Sequence, residues 1–137
     1  MPELQPLAQA DLPKGDSFSE AEIQAMQRAV INLFDRWEIR DNEAAILLGG
    51  IAPRTYQRWK TKEYGRVGPD LSARLSNLMG IHKALRLLFK EATRGYGWIK
   101  RPNDAFEGKS ALEVMLGGHL TDLMRVRHYL DAMRSAW

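Results

Sequence analysis

The sequence predicts an all-α protein made of two small helical modules, and three observations carry that expectation. Apolar residues Ile23, Met26, Val30, Leu33 and Trp37 recur at alternating three- and four-residue spacing, the period of a helix with one buried stripe. Ser19 with Glu22, and Ser110 with Glu113, have the spacing of capping boxes, in which each partner satisfies the other's free backbone N–H. Two glycine pairs, Gly49-Gly50 and Gly117-Gly118, then stop short helices where left-handed φ is needed.

Taken in order, residues 1–16 hold Pro2, Pro6, Pro13 and Gly15 and read as an irregular arm. Residues 17–66 form the first module. Within it a strongly amphipathic helix covers residues 20 to about 37, and Asp41 is expected to cap a short helix over residues 42–48. Gly49-Gly50 ends that helix, and Pro53 opens the next as a first-turn proline, running to about Lys60. A glycine-flanked junction over residues 64–69 leads to the second module, residues 67–137. From Asp70 a single helix is expected to about Thr93. Its first part carries one stripe, Leu71, Leu75 and Leu78. Ile81, Ala84, Leu85, Leu87, Leu88 and Phe89 then surround nearly the whole helix, and an element apolar on most sides must be covered on most sides. The last helix runs from about Thr121, with Leu120, Leu123, Leu130 and Met133 near one side and Arg125, Arg127 and Arg134 at or beside its edge.

Composition narrows the function classes. The chain of 137 residues is 45% hydrophobic and 27% charged, ordinary for a globular protein. It has no cysteine, which excludes a disulfide framework and a thiolate zinc site. No apolar run approaches the roughly 20 residues of a membrane span, and no basic-then-apolar leader opens the sequence, so no membrane role and a cytoplasmic location are expected. The net charge of +3 is uneven: residues 1–66 hold 9 Lys/Arg against 10 Asp/Glu, residues 67–137 hold 11 against 7.

Short helix, glycine turn, short helix is the helix-turn-helix arrangement, and Ala45 and Gly49 stand where it needs a small residue and a left-handed one. Gly49-Gly50-Ile51-Ala52 makes the turn about one residue longer than the commonest form. In the helix that follows, Tyr56 and Trp59 share one face and belong to the core, while Arg54, Gln57 and Arg58 project from the other. Arg pairs bidentately with guanine and Gln with adenine, and Thr55, Lys60 and Lys62 would hold phosphates. A solvated basic face is the alternative for the same charges.

The last third carries a spaced series: Trp98-Ile99, the Arg101-Pro102-Asn103 turn, Phe106-Glu107-Gly108-Lys109-Ser110, a helix of about two turns, Gly117-Gly118, and the long terminal helix. This series resembles the toxin-binding domain of the MbcA/ParS/Xre antitoxins over roughly residues 70–137, although Ala111 stands where members often have Pro. Ala52 to Lys60 likewise looks like the recognition helix of the Xre-like half of these antitoxins. The resemblance implies a type II antitoxin whose partners are a RES-domain, NAD-consuming toxin and operator DNA. It implies steric neutralisation by the C-terminal helix and tail, repression of its own operon, and a homodimer within a toxin–antitoxin hetero-oligomer. Candidate toxin-facing residues are Trp98, Arg125, Arg127, Met133, Arg134 and Trp137; an aromatic and a cation near a movable end are residue types enriched at interface hot spots. Packing of Trp137 on its own domain is the alternative. A dimeric helix-turn-helix regulator with no toxin partner is the second reading of the whole chain.

No catalytic residue, cofactor site or metal site is expected. His82, His119 and His128 lack ligand-spaced carboxylates or cysteines, Gly95-Tyr96-Gly97 lacks the setting of a phosphate loop, and Asp104 and Glu107 are read as polar turn residues. An enzyme is therefore the weaker class.

Overall fold

The computed structural model describes residues 17–136, so the expectations for the 1–16 arm and for Trp137 lie outside the described residues. Among the described residues seven α-helices follow one another: α1 Glu20–Arg36, α2 Asp41–Leu47, α3 Pro53–Lys60, α4 Pro69–Leu88, α5 Ala92–Trp98, α6 Ala111–Met115 and α7 Leu120–Ser135. A 3-10 turn, Asp104–Phe106, sits between α5 and α6.

Both predicted capping boxes form. Ser19 Oγ accepts from the Glu22 N–H at 3.1 Å and Glu22 returns the bond at 2.9 Å; Ser110 and Glu113 do the same at 3.1 and 3.2 Å. These reciprocal bonds satisfy N–H groups that have no partner inside the helix.

Two expectations are corrected. Asp41 does not cap α2: it is the first helical residue, and the cap is Arg40, whose N–H donates to Glu43 Oε1 at 2.9 Å. That bond, against burial and aided by the Arg40 side chain, holds the Glu43 carboxyl below its ordinary value and leaves Asp41 free to reach α3. The single helix expected over residues 70–93 is also broken. α4 stops at Leu88, Phe89 is extended (φ −116°, ψ 124°), and α5 folds back on the end of α4. No proline or glycine marks the break. Its cause is the apolar surface that a straight helix would leave bare, since burial outweighs the marginal gain of extending a helix. Gly95 is buried where α5 returns against α4, and a Cβ there would make ordinary van der Waals contact, 3.5 Å from the Leu85 carbonyl and 3.6 Å from Phe89 Cβ.

The two modules share one core. α4 packs along α7 on one side and α1 on the other, so Val30, Leu33, Phe34, Trp37, Tyr56 and Trp59 join Leu75, Leu78, Ile81, Met115, Leu123 and Leu130 in a continuous buried cluster. Gln27, fully buried on α1, donates from Nε2 to the Tyr64 carbonyl at 3.0 Å and ties the junction to the first module.

Candidate nucleic-acid and partner-binding surfaces

α3 is positioned by what it buries. It has only eight residues, too few to be stable alone. Tyr56 and Trp59 are 2% and 1% exposed, as their three-residue spacing predicts, and their rings continue the aromatic packing of Phe34 at 6.2 Å from Tyr56. Burial, then the Asp41 and Asp35 charges, push the Tyr56 phenol far above its ordinary range, so it stays a neutral hydroxyl. The preceding turn holds both Gly49 (φ 91°) and Gly50 (φ 80°) left-handed, and Pro53 occupies the first turn of α3.

The opposite side of α3 presents Arg54, Gln57 and Arg58, all exposed, with Thr55 half-buried. Arg54 and Arg58, one turn apart, form no ion pair among the described residues. Gln57 and Lys60 are differently placed. Both donate to the Asp41 carboxylate, Lys60 Nζ at 2.8 Å to Oδ1 and Gln57 Nε2 to Oδ2, and Lys60 also lies 5.1 Å over the Tyr56 ring. This exposed pair adds little stability, on the order of 0–1 kcal/mol. It does hold both side chains at the start of α2 until something competes for them. Lys62 lies past the helix in left-handed conformation (φ 69°), exposed.

The second candidate surface is built on α5, α7 and the loop between α5 and α6. Asn103 Oδ1 accepts from the Ala105 N–H at 2.9 Å, the Asn103 N–H donates to the Lys109 carbonyl at 3.0 Å, and the Leu112 N–H donates to the Ile99 carbonyl at 2.8 Å. Those bonds set the Trp98 segment against α7. Trp98 is half-buried, stacked on Tyr129 (centroids 6.1 Å, 11°) and edge-on to Phe106. The exposed Arg125 guanidinium covers Phe106 at 5.3 Å. Arg127 instead lies across Gly80 of α4, 3.5 Å from Asn77 Oδ1 and 3.7 Å from Asp131, and so is engaged within the fold. Met133 is half-buried and Arg134 exposed.

One residue went unread in the sequence. Arg74, 7% exposed, donates from Nη1 to the Gly118 carbonyl (2.9 Å) and the Leu47 carbonyl (3.4 Å), and from Nε to Asp70 (2.8 Å). The Asp70/Arg74 spacing was its only signal, and that spacing fits an ordinary exposed i,i+4 pair equally well.

The histidines are separate. His119 contacts Asp122 at 3.2 Å, and His128 is exposed. His82 stacks on Tyr96, and burial, then Arg86 and Arg36, lower its pKa. Protonation is thus easier in the unfolded chain. The stability that neutral His82 contributes is fully present above the ordinary imidazole value of about 6.5 and is lost as pH falls below it. Denaturation midpoints between pH 7.5 and 5.5 are expected to fall less for His82→Gln than for the parent. Equal slopes would remove His82 as the cause. Among the described residues no group of three or more His, Asp or Glu is placed to hold a metal ion, and no helix is long and apolar enough to cross a membrane.

Comparison with known proteins finds two family matches, the first of which extends past the expected boundary at residue 66 into α4. Residues 24–80 match the antitoxin Xre-like helix-turn-helix domain, and residues 84–135 match the antitoxin Xre/MbcA/ParS C-terminal toxin-binding domain. The chain belongs to the Xre/MbcA/ParS antitoxin family, with a helix-turn-helix domain followed by a toxin-binding domain. It is 43% identical over 122 residues to "Uncharacterized protein y4oB" of Sinorhizobium fredii (strain NBRC 101917 / NGR234), covering 89% of this chain and 92% of that protein. No solved structure matches.

Proposed function

We propose that this antitoxin binds and sterically neutralises a RES-domain, NAD-consuming toxin and represses its own operon as a dimer, with residues 17–66 carrying DNA contacts and residues 67–137 the toxin contacts. The observation that carries the reading is one chain in which α3, bearing an exposed pair of arginines without an ion pair among the described residues, shares a core with a toxin-binding domain. Arg54 and Arg58 read base edges, Gln57 joins them on leaving Asp41, and Thr55, Lys60 and Lys62 contact phosphates. The C-terminal end of α7, with Met133, Arg134 and Trp137, lies over the toxin's NAD cleft, flanked by Trp98, Arg125 and Arg127.

Two experiments test it. Replacing Arg54 and Arg58 together with Ala is expected to weaken operator binding by about 1–3 kcal/mol per lost base contact while toxin neutralisation is kept. Unchanged gel-shift affinity at fixed salt would remove these residues from the interface. Deleting residues 131–137 is expected to weaken toxin binding by at least the roughly 1.5–3 kcal/mol of one buried large side chain. Because Leu130 is 1% exposed and Met133 half-buried, helicity and cooperative melting of the truncated chain are checked first. A folded truncation that still restores growth of toxin-expressing cells would move inhibition to another surface.

A further inference from the structure

The end of α4 leaves one face uncovered. Lys83, Arg86 and Leu87 are all exposed there, and helical spacing of three and four residues puts them side by side. Leu87 contradicts the expectation that this stretch is covered on most sides: at 63% it is the most exposed large apolar side chain among the described residues. Lys90 follows directly past the helix end, exposed. At the edge, Arg36 of α1 lies 5.6 Å over the Tyr96 ring, whose other contact is the His82 that Arg86 crowds. Six of the eleven cations of residues 67–137 fall within residues 83–101, against Glu91 alone. None of Arg36, Lys83, Arg86 and Lys90 forms an ion pair among the described residues.

A bare leucine ringed by unpaired cations has the layout of an interface: an apolar anchor that gains by leaving water and a charged rim that selects the partner. Three occupants compete. A second copy of the same face would set like charges against one another, which disfavours the pairing. A nucleic-acid backbone would satisfy the cations but offers Leu87 no apolar surface. An acidic protein surface around an apolar socket satisfies both. The face also lies at the start of the segment matching the toxin-binding domain.

We propose that Leu87, with Lys83, Arg86 and Lys90 around it and Arg36 at the edge, is a docking surface for a carboxylate-rimmed apolar socket on the toxin, separate from the C-terminal end of α7. This rests on the antitoxin reading above.

The test uses the full chain and, as probe, the toxin encoded in the same operon, with affinity measured by calorimetry. Lys83→Glu/Arg86→Glu and, separately, Leu87→Ser are each expected to weaken binding roughly tenfold or more, with the parent's salt dependence reduced in the charge variant. Should the charge variant melt early, Leu87→Ser, which alters one exposed side chain, decides alone. Parent-level toxin affinity in a folded variant overturns this inference and leaves the antitoxin reading standing. Unchanged toxin affinity with a weakened operator gel shift makes the face a nucleic-acid contact, and unchanged affinity with altered mass in light scattering makes it a self-contact; either overturns the proposal. A parent chain that does not bind the toxin overturns both readings.

Discussion

Trp59→Ala is expected to destabilise the protein by about 3–5 kcal/mol, the range for truncating a fully buried large aromatic side chain, and to abolish operator binding at temperatures where the parent still binds. The size follows from position. Trp59 is 1% exposed, its ring lies 6.2 Å from Tyr56, and Tyr56 continues to Phe34 and Trp37 of the first helix and its cap. α3 has no long run of its own hydrogen bonds to fall back on, so its order comes from those two buried rings. Trp59→Phe keeps most of the apolar volume and is expected to lose much less. Urea denaturation followed by circular dichroism measures the first effect, and a gel shift below the variant's midpoint measures the second. A variant that melts with the parent would mean that α3 is held by something other than its aromatic face.

That face was legible in the sequence because three-residue spacing on a helix is a local rule, and so were the capping boxes at Ser19 and Ser110 and the glycine turn at Gly49-Gly50. Each depends on residues within a few positions of one another. Most of what was misread is long-range. The cap of α2 has a local basis in the Arg40/Glu43 spacing, whereas the Asp41 bonds to Gln57 and Lys60 depend on where α3 lies. The break after Leu88 lets α5 pack against α4 beside α1 and α7, an arrangement set by elements distant in sequence. Of the candidate site residues, the sequence distinguished arginines from lysines but not free from engaged ones. Arg54 and Arg58 stand clear, whereas Arg127 is folded over Gly80. A charged side chain's partner is set by tertiary proximity, to which helical periodicity is blind.

Arg74 is the sharpest case, and replacing it with Met is expected to lower stability by about 2–4 kcal/mol. Two carbonyls lose a charged donor, each such bond contributing roughly 1.5–3 kcal/mol, while Met retains most of the side-chain volume and so limits the cavity. The Asp70 partner contributes little to the total, because its carboxylate is 64% exposed and returns to water. Arg74→Lys keeps the charge, but one ammonium cannot reproduce the planar set in which Nη1 serves Leu47 and Gly118 while Nε reaches Asp70, and an intermediate loss is expected. A second substitution reaches the same contact from the other side. At Gly49 a Cβ would stand 2.9 Å from Arg74 Nε on a backbone at φ 91°, so Gly49→Ala strains the turn and displaces the guanidinium together. If Arg74 acts through that contact, the losses of Gly49→Ala and Arg74→Met are less than additive in the double variant, as expected for two changes to one network. Because Leu47 ends α2 before the DNA-side turn and Gly118 opens the approach to α7, the guanidinium joins the two family domains at a single buried point. Unfolding of Arg74→Met, followed separately by tryptophan fluorescence and by far-ultraviolet dichroism, is therefore expected to lose coincidence. Full additivity together with coincident transitions would reduce Arg74 to an ordinary surface-to-core cation, with the shared apolar core alone joining the two halves.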